Sequence, residues 1–276
     1  MNLNTKIKKI RERIEKIPIL IPAHTDEGHF YKLDGKTFPS VTTKLQVLKD
    51  QGLRNWYMNQ ALGYIKNLVD NGVEVDKESI DAYIEQAKQY PVDKFHDAGD
   101  IGTQIHDARQ KYFEFYLRFG KFPEGLHFPE RTDIRLISGL RAVQKFVFEQ
   151  KYIPLACELL VYDPILELAG TLDDVGLLPN KTGGYDLVIM DLKTSNIGNK
   201  DSYYYQVALY AYMFQKLTGL RAKRTFILHI SKTHASYKMV PIDNVPQLVK
   251  EAKLILKLND ALDRLKGTKA KETTKI

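Results

Sequence analysis

The stretch Tyr185-Asp186-Leu187-Val188-Ile189-Met190-Asp191-Leu192-Lys193 decides the fold. Side chains alternate along a strand. Leu187, Ile189, Asp191 and Lys193 therefore share one face, with Val188, Met190 and Leu192 on the other. Both faces are apolar as far as Asp191, the pattern of a central strand covered on both sides. Two charges then follow on one face, at the strand's end. An isolated charge there is costly unless it is paired or bound to a metal.

On the N-terminal side, residues 155–162 and 168–178 are rich in β-favouring residues and read as a hairpin. Asp163-Pro164 and Gly183-Gly184 punctuate them. On the C-terminal side, residues 202–217 read as a helix closed by Gly219. Strands follow over 224–231 and 236–242, then a helix over 246–266 with Pro246 in its first turn and Gly267 as its cap. Helices are also expected over 53–70, 79–90 (ending before Pro91), 98–119 and 133–150. The expectation is an α/β domain: a central mixed β-sheet flanked by helices, with a helical N-terminal region. A single domain spans 1–276, with a mostly helical part over 1–97, the core over 98–267 and a frayed tail over 268–276. No glycine-rich phosphate loop follows a strand, so a Rossmann or P-loop fold has little support.

The chain has 276 residues and a formal net charge of +7, a surplus that suits a polyanionic partner. The single cysteine, Cys157, excludes an internal disulfide framework, a structural zinc site built on thiolates and a four-cysteine iron–sulfur cluster. No stretch approaches the roughly 18 apolar residues that span a bilayer. These features lead us to expect an intracellular, cytoplasmic protein with no membrane partner. The basic residues of the first sixteen alternate with Glu12 and Glu15, which fits a solvated amphipathic helix better than a transit peptide.

Asp173 lies in the strand before Asp191. If the two strands pair, the two carboxylates converge. Hard divalent cations take oxygen ligands, and Mg²⁺ keeps several waters beside one or two carboxylates. Such an ion polarises a phosphoryl oxygen and lowers the pKa of a water, so Asp–x–Lys at a strand end suits phosphodiester hydrolysis. Lys193 would orient or activate the water and offset phosphate charge. Taken alone, the pair also fits a surface ion pair. Asp174, next along the strand, should point to the other face and is not assigned to metal. Glu158, on the first strand, reads as a structural or solvated carboxylate, with a second metal as the alternative. Arg54, Lys66, Arg109, Lys111, Arg118, Lys232 and Lys238 are candidates for a phosphate path, and Trp56, Tyr57, Tyr112 and Phe115 for base stacking. Ordinary helix surface and core are the alternatives for each.

The order Gly170-Thr171-Leu172-Asp173, then Asp191-Leu192-Lys193-Thr194-Ser195, then Gln206-x-x-x-Tyr210 resembles the RecB-like exonuclease branch of the PD-(D/E)xK nucleases. Upstream, Gly102-Thr103-Gln104-Ile105-His106 is similar to that family's "G-T-x-x-H" helix. The resemblance covers about 98–213. Phe38-Pro39-Ser40-Val41-Thr42-Thr43 also looks like the "P-S-V-T" segment of mitochondrial genome maintenance exonuclease and its phage relatives. The resemblance implies a restriction-endonuclease-like core and a Mg²⁺- or Mn²⁺-dependent DNA exonuclease. It would act on single strands or ends in replication, recombination or repair, and the likeness points to a phage or bacterial source. It also implies metal ligation by His106, Asp173, Asp191 and the Leu192 carbonyl. Lys193 would be the catalytic lysine, with Gln206 and Tyr210 positioning it, the substrate backbone or the site's floor. The two lie four apart, on one helix face; His106, Gln206 and Tyr210 equally fit ordinary packing. A structure-specific endonuclease on the same fold and a non-catalytic nucleic-acid binder are the alternatives.

Overall fold

The computed structural model describes residues 2–25, 28–48, 51–74, 76–195 and 201–273. In chain order the elements are α1 (Leu3–Ile14), β1 (Ile21–Thr25), β2 (Gly28–Leu33), β3 (Lys36–Pro39), α2 (Val41–Lys44) and a 3-10 turn (Leu45–Leu48). Then come α3 (Gln51–Asp70), α4 (Ile80–Phe119), α5 (Ile134–Gln150), β4 (Ile153–Asp163), β5 (Leu168–Pro179) and β6 (Tyr185–Lys193). The chain continues through α6 (Asp201–Thr218), β7 (Arg224–Ile230), β8 (Tyr237–Pro241) and α7 (Val245–Thr273).

The fold is α/β. A five-stranded sheet runs in the order β4-β5-β6-β7-β8 and is mixed, because β6 and β7 are parallel while the other neighbours are antiparallel. The alternation along β6 appears as two cores. Leu187 and Ile189 pack with α1, α6 and α7, through residues such as Ile10, Val207, Phe214 and Leu256. Val188, Met190 and Leu192 pack with α4 and α5, through Ile105, Phe113, Val143 and Phe146. Burying one such side chain contributes about 1.5–3 kcal/mol, so the apolar run makes β6 the sheet's anchor. No helix among the described residues is long and apolar enough to cross a membrane.

Three features depart from the sequence reading. The N-terminal part carries, beside its helices, a three-stranded antiparallel sheet, β1-β2-β3. Tyr31 and Phe38 of this sheet, with Leu20 just before β1, bury against Ala169 of β5. Helix α4 runs through Pro91 without a break. Proline forfeits one helix hydrogen bond, yet Ala87 and Pro91 are both buried, and Tyr90 packs on Tyr64 of α3 at 5.1 Å. Packing between the two helices thus outweighs the missing bond. Helix α7 likewise continues past Gly267, so residues 268–273 are helical rather than a frayed tail; residues 274–276 lie outside the described residues.

Candidate metal and catalytic site

The site forms where β5 and β6 part. Their ladder ends at the pair Asp174–Met190, one residue short of Asp173 and Asp191. In β5 the alternation also slips there: Leu168 and Leu172 before it, and Val175 and Leu177 after it, all pack in the α6-side core. Into this opening Asp173 turns its carboxylate, and the Leu192 N–H donates to it at 2.7 Å. Asp191 is fully buried, and Lys193 places its ammonium 2.5 Å from the Asp191 carboxylate. Because the strands splay, groups from both sides of the sheet reach the same point.

From one side comes α4. Gly102 brings this helix close to the end of β6, since a Cβ there would lie 3.0 Å from Thr194 Oγ1. One turn on, His106 Nδ1 lies 3.6 Å from Asp173 Oδ2. Burial pushes the His106 pKa down, which favours the neutral imidazole that ligates metals. From β4 comes Glu158. It breaks the strand's regularity with φ +49°, between the paired residues Cys157 and Leu159. His106, Glu158 and Asp173 offer ligand atoms that all lie within 4.8 Å of one another.

From the other side comes α6. Gln206 Nε2 donates to Asp191 Oδ1 at 3.5 Å and lies 3.3 Å from the Tyr210 hydroxyl. Tyr210 fills the space above Gly170, where a Cβ would come within 2.5 Å of the ring. Tyr203 sits beneath Lys193, whose ammonium is 4.8 Å from its ring centre, and its hydroxyl is 3.0 Å from Ser195 Oγ. The Phe38–Thr43 segment acts from a distance. Ser40 caps α2 by accepting from the Thr43 N–H at 2.9 Å, and its backbone bridges to Ala169, just before Gly170.

Charge counting tests whether a metal fits. Four carboxylates, Glu158, Asp173, Asp174 and Asp191, share the region with two cations, Arg109 and Lys193. With all four ionised, two negative charges would be left over, the amount a divalent ion supplies; burial works against that ionisation and raises the Asp174 carboxyl well above its ordinary value. The titration behaviour follows first from burial and then from the charges around each group. Burial, and then the Asp173 charge, push both Glu158 and Asp191 up to about 7. Burial would raise Asp173 as well, but His106, Arg109, Lys193 and the Leu192 N–H outweigh it and hold this carboxyl below its ordinary value. For Lys193, burial opposes the charge, and Asp191 and Asp173 overcome it, leaving the pKa raised. The imidazole–carboxylate donor set suits a borderline or hard divalent cation.

The structure therefore brings Asp173, Asp191, Lys193, His106, Gln206, Tyr210 and the Leu192 main chain to one place. It adds Glu158, which sequence reasoning had set aside as structural or solvated. Arg109 does not belong to a phosphate path: it is fully buried and bonded to Asp174 and Glu158. Lys232 donates to the Ala98 carbonyl at 3.2 Å. Of the aromatics proposed for stacking, Tyr112 is core and Phe115 packs on Phe119. Trp56 and Tyr57 pack on Phe95 within the α3–α4 hairpin.

No protein-family model matches the chain, and no curated protein does. Among solved structures it is similar to the crystal structure of SSO0001, with 10% identity and a TM-score of 0.23, over 55% of this chain and 74% of that one. A likeness at that level carries no argument.

Proposed function

We propose that the chain is a Mg²⁺- or Mn²⁺-dependent deoxyribonuclease that hydrolyses phosphodiester bonds as an exonuclease on single strands or DNA ends. The observation that carries this reading is the convergence of His106, Glu158 and Asp173 within 4.8 Å, beside the buried Asp191–Lys193 pair. The order of motifs around these residues supports the same reading, and the net charge of +7 suits a polyanionic substrate.

His106, Asp173 and Glu158 would hold the ion, with Asp191 and the Leu192 carbonyl at its edge. A divalent ion there polarises a phosphoryl oxygen and makes an attacking water more acidic. Lys193 keeps its proton, because Asp191 and Asp173 raise its pKa. It therefore serves as a donor: it orients water or a phosphate oxygen and offsets the charge that develops in attack. Gln206 steadies Asp191 from α6, so the carboxylate presents one fixed orientation to Lys193. Preference for ends or single strands rests on the family resemblance.

The test is cleavage of end-labelled single- and double-stranded DNA with Mg²⁺, Mn²⁺ or EDTA. Wild type should cut, EDTA should stop it, and Lys193→Ala and Asp191→Ala should be inactive. Product ladders from each end would separate exo- from endonuclease. Absence of cutting with either metal, or equal cutting by the variants, would overturn the catalytic reading.

A further inference from the structure

We propose that Arg109, anchored by Asp174, is a positioning residue that sets the metal ligands in place by clamping Glu158 to Asp173. The inference rests on the metal-site reading above. Arg109 stands three residues after His106, one turn along the same face of α4. Its side chain is fully buried, as is that of Asp174. One arm of its guanidinium, Nη1, donates to the Asp174 carboxylate and, at 3.1 Å, to the Asp173 carbonyl. The other arm, Nη2, donates to the Glu158 carboxylate.

This arrangement answers two questions that the ligand set leaves open. The first is electrostatic. Glu158 and Asp173 repel each other, yet both must face one ion. A permanent cation bonded to the Glu158 carboxylate and to the Asp173 carbonyl offsets that repulsion without occupying the Asp173 carboxylate. The second is geometric. Glu158 sits at a positive φ in a strand, a conformation a non-glycine residue keeps only where its surroundings hold it. The Arg109 fork ties that residue to the Asp173 main chain of the neighbouring strand. The buried Asp174 carboxyl accepts from Nη1 and fixes the fork's direction. A planar guanidinium reaches three acceptors at fixed angles; a lysine offers a single point charge.

The experiment is Mn²⁺ binding by calorimetry and by the loss of free-Mn²⁺ electron-resonance signal. It would be run on wild type, Arg109→Lys, Glu158→Gln and the double variant, alongside DNA cleavage. Arg109→Lys keeps the charge that Asp174 needs and should weaken Mn²⁺ binding by about 10-fold or more, the usual effect of losing a partner that orients a ligand. Combined with Glu158→Gln, it should add little, because both act through one carboxylate. Asp174→Asn, nearly isosteric, should weaken binding in the same non-additive way and serves if Arg109→Lys does not fold. Mn²⁺ affinity of Arg109→Lys within twofold of wild type, or full additivity with Glu158→Gln for whichever variant folds, would overturn the proposal. A wild type that binds no Mn²⁺ would overturn the metal-site reading itself, a separate result.

Discussion

Replacing Gly170 by alanine tests how the site's floor is built. Gly170 precedes Asp173 by three residues in β5, and its place in the strand needs no unusual backbone. What it provides is room. A Cβ there would stand 2.5 Å from Tyr210 Cε1, 3.0 Å from its hydroxyl and 3.1 Å from Cζ. The nearest of these is roughly 0.9 Å inside the 3.4 Å at which ordinary contact begins. Tyr210 cannot retreat freely, since it is 3% exposed and in contact with Gln206. Overpacking of this kind costs about 1–3 kcal/mol, which for a domain of this size lowers Tm by about 2–12 °C. The displaced ring also disturbs Gln206 and, through it, Asp191, so cleavage should fall more than stability alone explains. Gly99→Ala is the control: it lies within α4 with open space around it, and should be neutral or stabilising by up to about 1 kcal/mol. Urea unfolding and calorimetry would measure both. Tyr210→Leu removes the clashing ring atoms, so the Gly170→Ala penalty should shrink in that background. A Gly170→Ala protein within about 0.5 kcal/mol of wild type, or penalties that simply add, would refute the reasoning.

Glu158 and Asp191 hold protons up to about pH 7 in the folded chain, whereas free carboxyls release them near 4. The folded state therefore binds more protons across that window, and metal-free stability should fall as pH rises through it. Mn²⁺ affinity should climb over the same window and level off above about pH 7, with proton release on binding; a flat calorimetric profile would contradict this. Burial pushes the Cys157 thiol up to about 12, so its alkylation at pH 8 should be far slower than that of a free thiol, measured by mass spectrometry. Ser40→Ala removes the cap of α2 and should cost about 0.5–2 kcal/mol in denaturant titration.

Much of the fold was legible because it depends on local periodicity. The bounds of β6 follow from the Leu187–Met190 run and the charges after it, and the two-faced burial follows from alternation. The placing of Asp173 opposite Asp191 needed only the assumption that their strands pair. What escaped the sequence depends on contacts distant in the chain. Arg109 looks like surface because arginine is seldom fully buried, and only the fold brings Asp174, 65 residues away, against it. Glu158 turns toward His106 and Asp173 through a left-handed backbone that its residue type gives no reason to expect. Pro91 is an ordinary helix breaker by local rules, yet it lies buried within α4 next to Tyr90, which packs on Tyr64 of α3.

The parting of β5 and β6 has one more consequence. His106 and Arg109 are held by the core that α4 and α5 build; Gln206 and Tyr210 are held by the core beneath α6. The site is thus a joint between two separately packed bodies, and neither alone defines its shape. A methyl group gained or lost deep in either core, far from any ligand, would shift half of the constellation against the other half. Ion affinity would then report on the alignment of the two cores much as a vernier reports on two scales.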